Sequence, residues 1–180
     1  MKIAVVFFSR AGKTALLADT IFSALPGKKE LIQINVLEQK EKKKPFDLRN
    51  PKTFDLSNPK KVKLIATKTD LSRFDLVFFG STVEGMSPKR KIPLETEVYL
   101  KECKGVEGKK TAVFLGCFGV PGTALQKMQS ILQTRNATVV ASKAFAYLLH
   151  FSDAQLKEAR QFALETAQNA KKAAPKAKPV

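Results

Sequence analysis

The stretch that decides the fold is IAVVFFSRAGKT, residues 3–14. Residues 3–8 form a continuous apolar run rich in Val and Phe, which is typical of a strand buried on both faces. Residues 13–25 then place Leu17, Ile21 and Leu25 on one face and end at a Pro-Gly pair, which predicts an amphipathic helix. The sequence therefore opens with a strand, a polar loop and a helix.

Three further apolar runs share the design of the first. They are LVFF at 76–79, AVFL at 112–115 and the weaker TVVA at 138–141. We expect all of them in one parallel sheet, because continuous apolar runs suit strands that are covered on both faces. Residues 31–36 instead alternate apolar and polar side chains, which favours an outer strand with one solvated face.

Helical patterns separate these predicted strands. An apolar stripe runs through residues 122–135, a weaker one runs through 93–103, and a capping box at 152–155 opens a final helix. Strands that alternate with helices imply right-handed crossovers and helices on both faces of the sheet. The predicted fold class is α/β, a doubly wound five-stranded parallel sheet.

The length and composition indicate one domain with two basic segments. The 180 residues, 44% of them hydrophobic, suffice for one substantial core. We place the domain at residues 1–169, with a basic excursion at about 38–63 that holds nine Lys or Arg, four Asp or Glu and three prolines. Residues 170–180 contain four lysines, two prolines and no acidic residue, so we expect a disordered basic tail.

The cysteine content and the first residues indicate a soluble, cytoplasmic protein. The chain has two cysteines and no CxxC motif, so we expect neither a disulfide framework nor a structural metal site. The first apolar run has six residues, which is too short for a signal peptide or a membrane span.

The candidate site lies in the loops that follow the strands, because open doubly wound sheets bind ligands outside the carboxyl ends of their strands. Loops 9–14, 80–86 and 116–122 follow three predicted strands and are rich in Gly, Ser and Thr. A Walker A motif is excluded in the first loop, because Phe7 stands where that motif requires glycine.

Loop 9–14 favours a phosphate cradle. Backbone N–H groups and the positive end of the following helix would face an anion there. Ser9 and Thr14 would add hydroxyl donors, Arg10 and Lys13 would add charge, and Gly12 would allow a close approach of the backbone. The alternative is an ordinary capped turn between a strand and a helix.

Three segments resemble those of the flavodoxin family. SRAGKT at 9–14 is similar to the family's Ser/Thr-x-Thr-Gly-x-Thr phosphate loop, and FDLVFFGSTV at 74–83 resembles its third-strand segment. GKKTAVF at 108–114, with the Gly-rich loop after it, resembles the fourth-strand segment. Order and spacing carry the resemblance, which covers residues 2 to about 168 apart from the excursion.

This resemblance implies strand order 2-1-3-4-5, FMN as the cofactor and electron transfer through its isoalloxazine ring. It places the FMN phosphate among Ser9, Arg10, Ala11, Gly12, Lys13 and Thr14. It places the ring beside Ser81, Thr82, Val83, Glu84, Gly85 and Met86 and beside Cys117, Phe118, Gly119 and Gly122. The implied function is electron transfer to a redox partner protein, or reduction of a small acceptor such as a quinone.

Two residues depart from the family pattern. Ala11 lacks the usual hydroxyl, and Glu84 stands where many relatives place a Trp or Tyr against the flavin. Stacking would then come from Phe118 or be absent, and a carboxylate beside the ring would repel an anionic reduced flavin. These departures keep an alternative open, a flavin-free binding or regulatory domain of the same fold with a basic partner-binding surface.

The charge is strongly positive, with 32 Lys or Arg, 16 Asp or Glu and a net charge of +16. Lys89, Arg90 and Lys91 follow the third-strand loop, where they would steer acidic redox partners or phosphorylated cofactors. The alternative is a set of solvated lysines that serve solubility. No aromatic interleaving accompanies the lysines, so nucleic-acid binding is not expected.

The histidine and the cysteines are predicted to have structural roles. His150 has no acid–nucleophile pattern near it in the sequence, and free cysteines such as Cys103 and Cys117 are more often small buried hydrophobes than redox centres. The sequence assigns no catalytic residue, and it leaves open whether the protein is a carrier or an enzyme.

Overall fold

The computed structural model describes residues 1–34, 36–39, 63–66, 69–84 and 90–172. These ranges contain seven strands and four helices. In chain order they are β1 (Lys2–Phe7), α1 (Lys13–Ala24), β2 (Lys28–Gln33), β3 (Val36–Gln39), β4 (Lys63–Ala66), β5 (Leu76–Thr82), α2 (Leu94–Glu102), β6 (Lys110–Phe118), α3 (Ala124–Thr134), β7 (Thr138–Tyr147) and α4 (Asp153–Lys172).

Five parallel strands form the main sheet in the order β2-β1-β5-β6-β7. Counted within this sheet the order is 2-1-3-4-5, so both the predicted α/β class and the expected strand order are confirmed. β3 and β4 form a separate antiparallel pair. The chain reverses its direction of winding at β1 and β5, which makes their carboxyl ends the switch point where ligands bind in such sheets.

Two apolar cores cover the faces of the sheet, because side chains alternate along each strand. Ala4 and Val6 face the core that α2 and α3 cover. Ile3 and Val5 face the core that α1 and α4 cover. Each fully buried Val, Leu, Ile or Phe stabilises the fold by about 1.5–3 kcal/mol. The doubly buried runs thus fix the strands whose ends carry the site.

The edge strand β2 begins earlier than its sequence pattern predicts. We expected a strand at 31–36, but β2 occupies Lys28–Gln33 and a separate strand, β3, begins at Val36. An edge strand tolerates polar side chains, and Lys29 uses its ammonium to donate to the carbonyls of Phe22 (2.7 Å) and Leu25 (2.8 Å) at the end of α1. Because residues 28–30 are polar, the hydrophobic pattern does not indicate that the strand begins there.

The basic excursion is framed by β3 and β4. These strands pair from Val36 opposite Ala66 to Gln39 opposite Lys63, so the excursion predicted at about 38–63 starts and ends inside a two-stranded ladder. Residues 40–62 lie outside the described residues.

The last helix continues into the predicted tail. α4 ends at Lys172, three residues beyond the predicted domain boundary at residue 169, which stays a prediction. Ala163, Ala167 and Ala170 form a buried stripe at helical spacing, and Lys110 donates to the carbonyl of Ala170 at 2.7 Å. Because two exposed lysines follow Ala170, the sequence pattern did not indicate that the helix includes residues 170–172. Residues 173–180, the rest of the predicted tail, lie outside the described residues.

Both cysteines are free and buried. Within the described ranges, no cluster of three or more His, Cys, Asp or Glu is placed to hold a metal ion. Among the four helices described, none is long and apolar enough to cross a membrane.

Candidate functional site

The carboxyl ends of four parallel strands and the loops that follow them lie along one edge of the sheet. Phe7 of β1 is the register partner of Gly80 of β5, and Phe118 of β6 is the partner of Tyr147 of β7. The three loops predicted to bind a ligand therefore belong to one surface. Of their residues, Gly85 and Met86 lie outside the described residues.

The first loop ends at Gly12, which is the N-cap of α1 and has a left-handed φ of 77°. Its carbonyl accepts from the N–H of Leu16 at 3.0 Å, and no side chain caps the helix. A Cβ at this position would meet nothing within 4 Å. The first N–H groups of α1 make no hydrogen bond within the described ranges, and the positive end of the helix dipole lies behind them.

Thr14, in the first turn of α1, lies beneath this loop and is only 1% exposed. A Cβ at Gly116 would lie 3.4 Å from its hydroxyl oxygen, so the glycine leaves space for that hydroxyl at the end of β6. The hydroxyl makes no hydrogen bond to any residue in the described ranges. The oxygen itself is not fully buried, so this hydroxyl can donate to a ligand that lies at the loop.

Arg10 pairs with two carboxylates from other elements. Its guanidinium contacts Glu84, just after β5, and lies 2.5 Å from the carboxylate of Glu95 in the first turn of α2. It also lies 5.7 Å from the centre of the Phe8 ring. In this arrangement Arg10 ties the first loop to the second, and Ser9 and Ala11 stand on either side of it.

Glu84 is held by its backbone as well as by its carboxylate. Its N–H donates to the carbonyl of Lys91 at 2.8 Å, and the N–H of Lys91 donates back at 3.0 Å. Because the Arg10 guanidinium neutralises this carboxylate, the repulsion expected between Glu84 and a reduced flavin is weaker than its position in the sequence suggests.

Ser81 is turned into the protein. Its hydroxyl is buried, 2.8 Å from that of Thr96 in α2, and lies 3.0 Å from the carbonyl of Thr82. Val83 packs against the core beneath α2 and α3. Ser81 thus fastens the end of β5 to α2, and the position of Ser81 and Val83 beside a flavin ring stays a prediction.

Cys117 lies inside a strand, not in the predicted loop. β6 continues to Phe118 because β7 extends beside it as far as Tyr147. The Cys117 thiol is buried and donates to the carbonyl of Gly119 at 3.6 Å. Burial raises the pKa of this thiol, and the nearby charge of Arg90 opposes the rise. A buried, protonated thiol supports the structural role that the sequence predicts.

An aromatic group stands at the ends of β6 and β7. Phe118 is 56% exposed, its ring centre lies 6.5 Å from that of Tyr147, and Tyr147 lies 4.8 Å from Phe151, both in edge-to-face geometry. Tyr147 was not predicted to lie at this site, because the last strand was expected to end at residue 141. The alternation of Phe145 with Tyr147 was the signal for a longer strand.

Lys13 and His150 meet across the first loop and the loop after β7. The Lys13 ammonium lies 2.7 Å from His150 Nδ1 and 6.0 Å from the centre of the Tyr147 ring. An ammonium donates, so His150 is the acceptor in this contact. His150 was predicted to be a structural or surface residue, and the fold places it beside the candidate phosphate loop.

Arg90 contacts the third loop. Its Nη1 donates to the carbonyl of Val120 at 2.7 Å and to the carbonyl of Phe118. Its backbone packs on Gly122, where a Cβ would lie 3.0 Å from that of Arg90. Arg90 was predicted to collect anions, but its guanidinium is engaged with backbone carbonyls.

A concavity of about 430 Å³ lies at the opposite edge of the sheet, where strands begin. It is lined by Met1, Asp75, Gly108, Lys109, Lys110, Ala170 and Lys171. Two of its lysines are engaged with the protein, because Lys109 donates to Ser72 O at 2.6 Å and Lys110 to Ala170 O. Ligands of doubly wound sheets bind outside the carboxyl ends of the strands, so the carboxyl edge is the better candidate site.

Comparison with solved structures identifies the fold. Oxidised flavodoxin 1 from Bacillus cereus superposes with a TM-score of 0.63 at 21% identity over 93% of this chain and 98% of that one. A flavodoxin from the domain Archaea gives 0.63 at 17% identity over 95% and 99%. A flavoprotein in complex with FMN from Lactobacillus acidophilus gives 0.56 at 19% identity over 79% and 92%.

The chain therefore has the flavodoxin fold, and the predicted resemblance is confirmed at the level of the fold. No protein-family profile matches the sequence, and no curated protein matches it either.

Proposed function

We propose that the chain is an FMN-binding redox protein that transfers electrons to a partner protein or reduces a small acceptor such as a quinone. The observation that carries the proposal is the first loop. An uncapped helix N-terminus, a left-handed glycine with open space where its Cβ would be, and a hydroxyl that makes no hydrogen bond within the described ranges follow one another at residues 12–14. Each of these features suits an anion.

The residues present fit FMN at both of its ends. Gly12, Lys13 and Thr14 would bind the phosphate with N–H, ammonium and hydroxyl donors, and Ser9 would stand beside them. Phe118 would offer its exposed aromatic face to the ring. When bound, the isoalloxazine ring supplies the one- or two-electron chemistry, and the protein binds and orients it.

The basic character of the chain supports an acidic partner. The net charge is +16, and a field of one sign accelerates encounters with molecules of the opposite sign. An acidic electron-transfer protein or an anionic small acceptor is therefore the expected partner.

A second candidate function is a flavin-free binding domain of the same fold. The Arg10 cluster favours it, because both Glu84 and Glu95 occupy the guanidinium that would otherwise face a phosphate. In that case the basic surface would hold an acidic partner without redox chemistry.

An FMN titration of purified, flavin-stripped protein separates the two functions. Flavin fluorescence is followed, and riboflavin serves as the matched control because it has the ring and lacks the phosphate. We expect tight FMN binding and much weaker riboflavin binding. Absence of binding by both molecules would contradict the redox function and favour the flavin-free domain.

A further inference from the structure

Residues 118–122 wrap around the side chain of Arg90. The guanidinium donates to two backbone carbonyls of this loop, those of Phe118 and Val120. Gly119 and Gly122 both have positive φ, 73° and 58°, and a Cβ at either position would lie within 4 Å of Arg90. The turn therefore depends on an arginine that is 28 residues away from Phe118 in sequence.

These contacts decide which backbone groups of the loop remain available. The carbonyls of Phe118 and Val120 are occupied by Arg90, and the N–H of Gly119 donates to Tyr147 O at 3.2 Å. The N–H groups of Val120, Gly122 and Thr123 make no hydrogen bond within the described ranges. The loop thus offers donors to a ligand, and backbone donors that converge on a site stabilise negative charge.

Arg90 also brings a charge that the described residues do not neutralise. No carboxylate in the described ranges pairs with it, whereas Arg10 pairs with two. Its Nε is buried without a partner in the same ranges. An arginine stays charged at every physiological pH, and a charge that is partly withdrawn from water acts more strongly on its neighbours. The lowering influence of Arg90 on the pKa of Cys117 has the same origin.

We propose that Arg90 is a positioning residue that sets the conformation of residues 118–122 and, through its charge and the donors it exposes, raises the reduction potential of a bound flavin. The inference rests on the proposed function, since it assigns Arg90 a role in tuning the same site. Reduction adds negative charge to the ring, and the Arg90 loop favours that state over the oxidised one.

The test compares three variants of the full chain. Arg90→Gln removes the charge and the two-carbonyl contact. Arg90→Lys keeps the charge but loses the planar fork. Arg160→Gln is the matched control, because it makes the same substitution at an exposed position of α4. Two quantities are measured for each protein: the midpoint potential of bound FMN, and amide hydrogen exchange at Gly119 in the flavin-free protein.

For Arg90→Gln we expect the affinity for reduced FMN, relative to oxidised FMN, to fall about tenfold, which corresponds to a midpoint potential about 30 mV lower for a two-electron couple. In Arg90→Lys, which keeps the charge, the midpoint potential of bound FMN should stay close to that of the unaltered protein. Exchange at Gly119 should accelerate in both Arg90 variants and stay unchanged in Arg160→Gln.

Three results would overturn the proposal in whole or in part. If Arg90→Gln matches Arg160→Gln in both measurements, Arg90 has neither role. Faster exchange with an unchanged potential contradicts the electrostatic role alone. If the unaltered protein binds no FMN, the proposed function is wrong, and so is the proposed effect of Arg90 on the reduction potential. The exchange measurement at Gly119 then still decides whether Arg90 holds the loop in its conformation.

Discussion

Thr14 is the single side chain on which the proposed phosphate contact depends most. Thr14→Val keeps the shape and removes the donor, so we expect FMN binding to weaken by about 0.5–3 kcal/mol, a range that spans hydrogen bonds to neutral and to charged groups. Riboflavin binding should not change. The measurement is a fluorescence titration with each flavin.

Thr20→Val is the matched control for this substitution. Thr20 lies in the same helix, and its hydroxyl donates to the carbonyl of Leu16 at 2.8 Å, inside α1. It should leave the FMN affinity near that of the unaltered protein. Equal losses in the two variants would indicate damage to the helix and argue against a phosphate contact by Thr14.

Gly80 shows how tightly the centre of the sheet is packed. A Cβ there would lie 2.1 Å from the end of the Phe114 ring, and that ring is fully buried. We expect Gly80→Ala to lower the free energy of unfolding by about 1–3 kcal/mol, because overpacking forces a core side chain to move. Urea unfolding measures the loss.

Gly108→Ala provides the comparison for Gly80. Gly108 has a φ of 70° and open space around its missing Cβ, so the substitution introduces backbone strain alone, about 1 kcal/mol. A larger loss at Gly108 than at Gly80 would contradict the packing argument.

The first loop shows which of its features could be predicted from the sequence and which could not. The pattern of residues 9–14 predicted a polar loop before a helix, and the structure has it. The partners of Arg10 were beyond prediction, because Glu95 is 85 residues away in the chain. An ion pair of that range depends on the strand order, which the local pattern does not contain.

Among the elements, β7 differs most from its prediction. The sequence suggested residues 138–141, and the strand runs to Tyr147. Ser142 and Lys143 interrupt the apolar run, yet an edge strand tolerates them, and Lys143 forms an ion pair with Glu158 of α4 at 2.7 Å. β1, β5 and β6 were recognised because both of their faces are buried. Half-buried strands such as β2 and β7 have no continuous apolar run, so their bounds were harder to predict.

The pairing of α2 with α3 includes an ion cluster that should respond to pH. Glu97 of α2 contacts Lys101 at 2.8 Å and Lys127 of α3. Lys101 and then Lys127 hold the pKa of this carboxyl below its usual value of 4.5. Because the folded-state pKa is lowered, the stabilisation is present above about pH 4.5 and is lost as the pH falls below it.

We therefore expect Glu97→Gln to lower the free energy of unfolding by about 1 kcal/mol at neutral pH and to have little effect in acid. Urea unfolding at two pH values measures both. Glu102→Gln, at an exposed position of the same helix, is the control. A loss that is the same at both pH values would contradict the role of the charge.

At the scale of the whole molecule, the net charge of +16 should govern the choice of acceptor. We expect the reduced, FMN-loaded protein to react with ferricyanide, an anion, more slowly as the ionic strength rises from about 0.01 to 0.1 M, because salt screens attraction. With a cationic cobalt(III) ammine the rate should rise instead. Stopped-flow absorbance measures both, and rates that change in the same direction would argue against steering.

The two-stranded ladder of β3 and β4 has a consequence for how this chain can vary. Gln39 and Lys63 are already neighbours, so whatever joins them leaves and returns at one place, and each doubling of its length costs only about 0.6 kcal/mol. Replacing residues 40–62 with a two-residue Asn-Gly turn should raise the free energy of unfolding by about 2 kcal/mol, because the loop to be closed becomes shorter by three to four halvings. Urea unfolding measures the gain, and the change also removes eight Lys or Arg and three Asp or Glu. The ladder thus fixes the spacing of the two ends of this segment, so its length enters the stability of the chain only through the logarithm of the loop size.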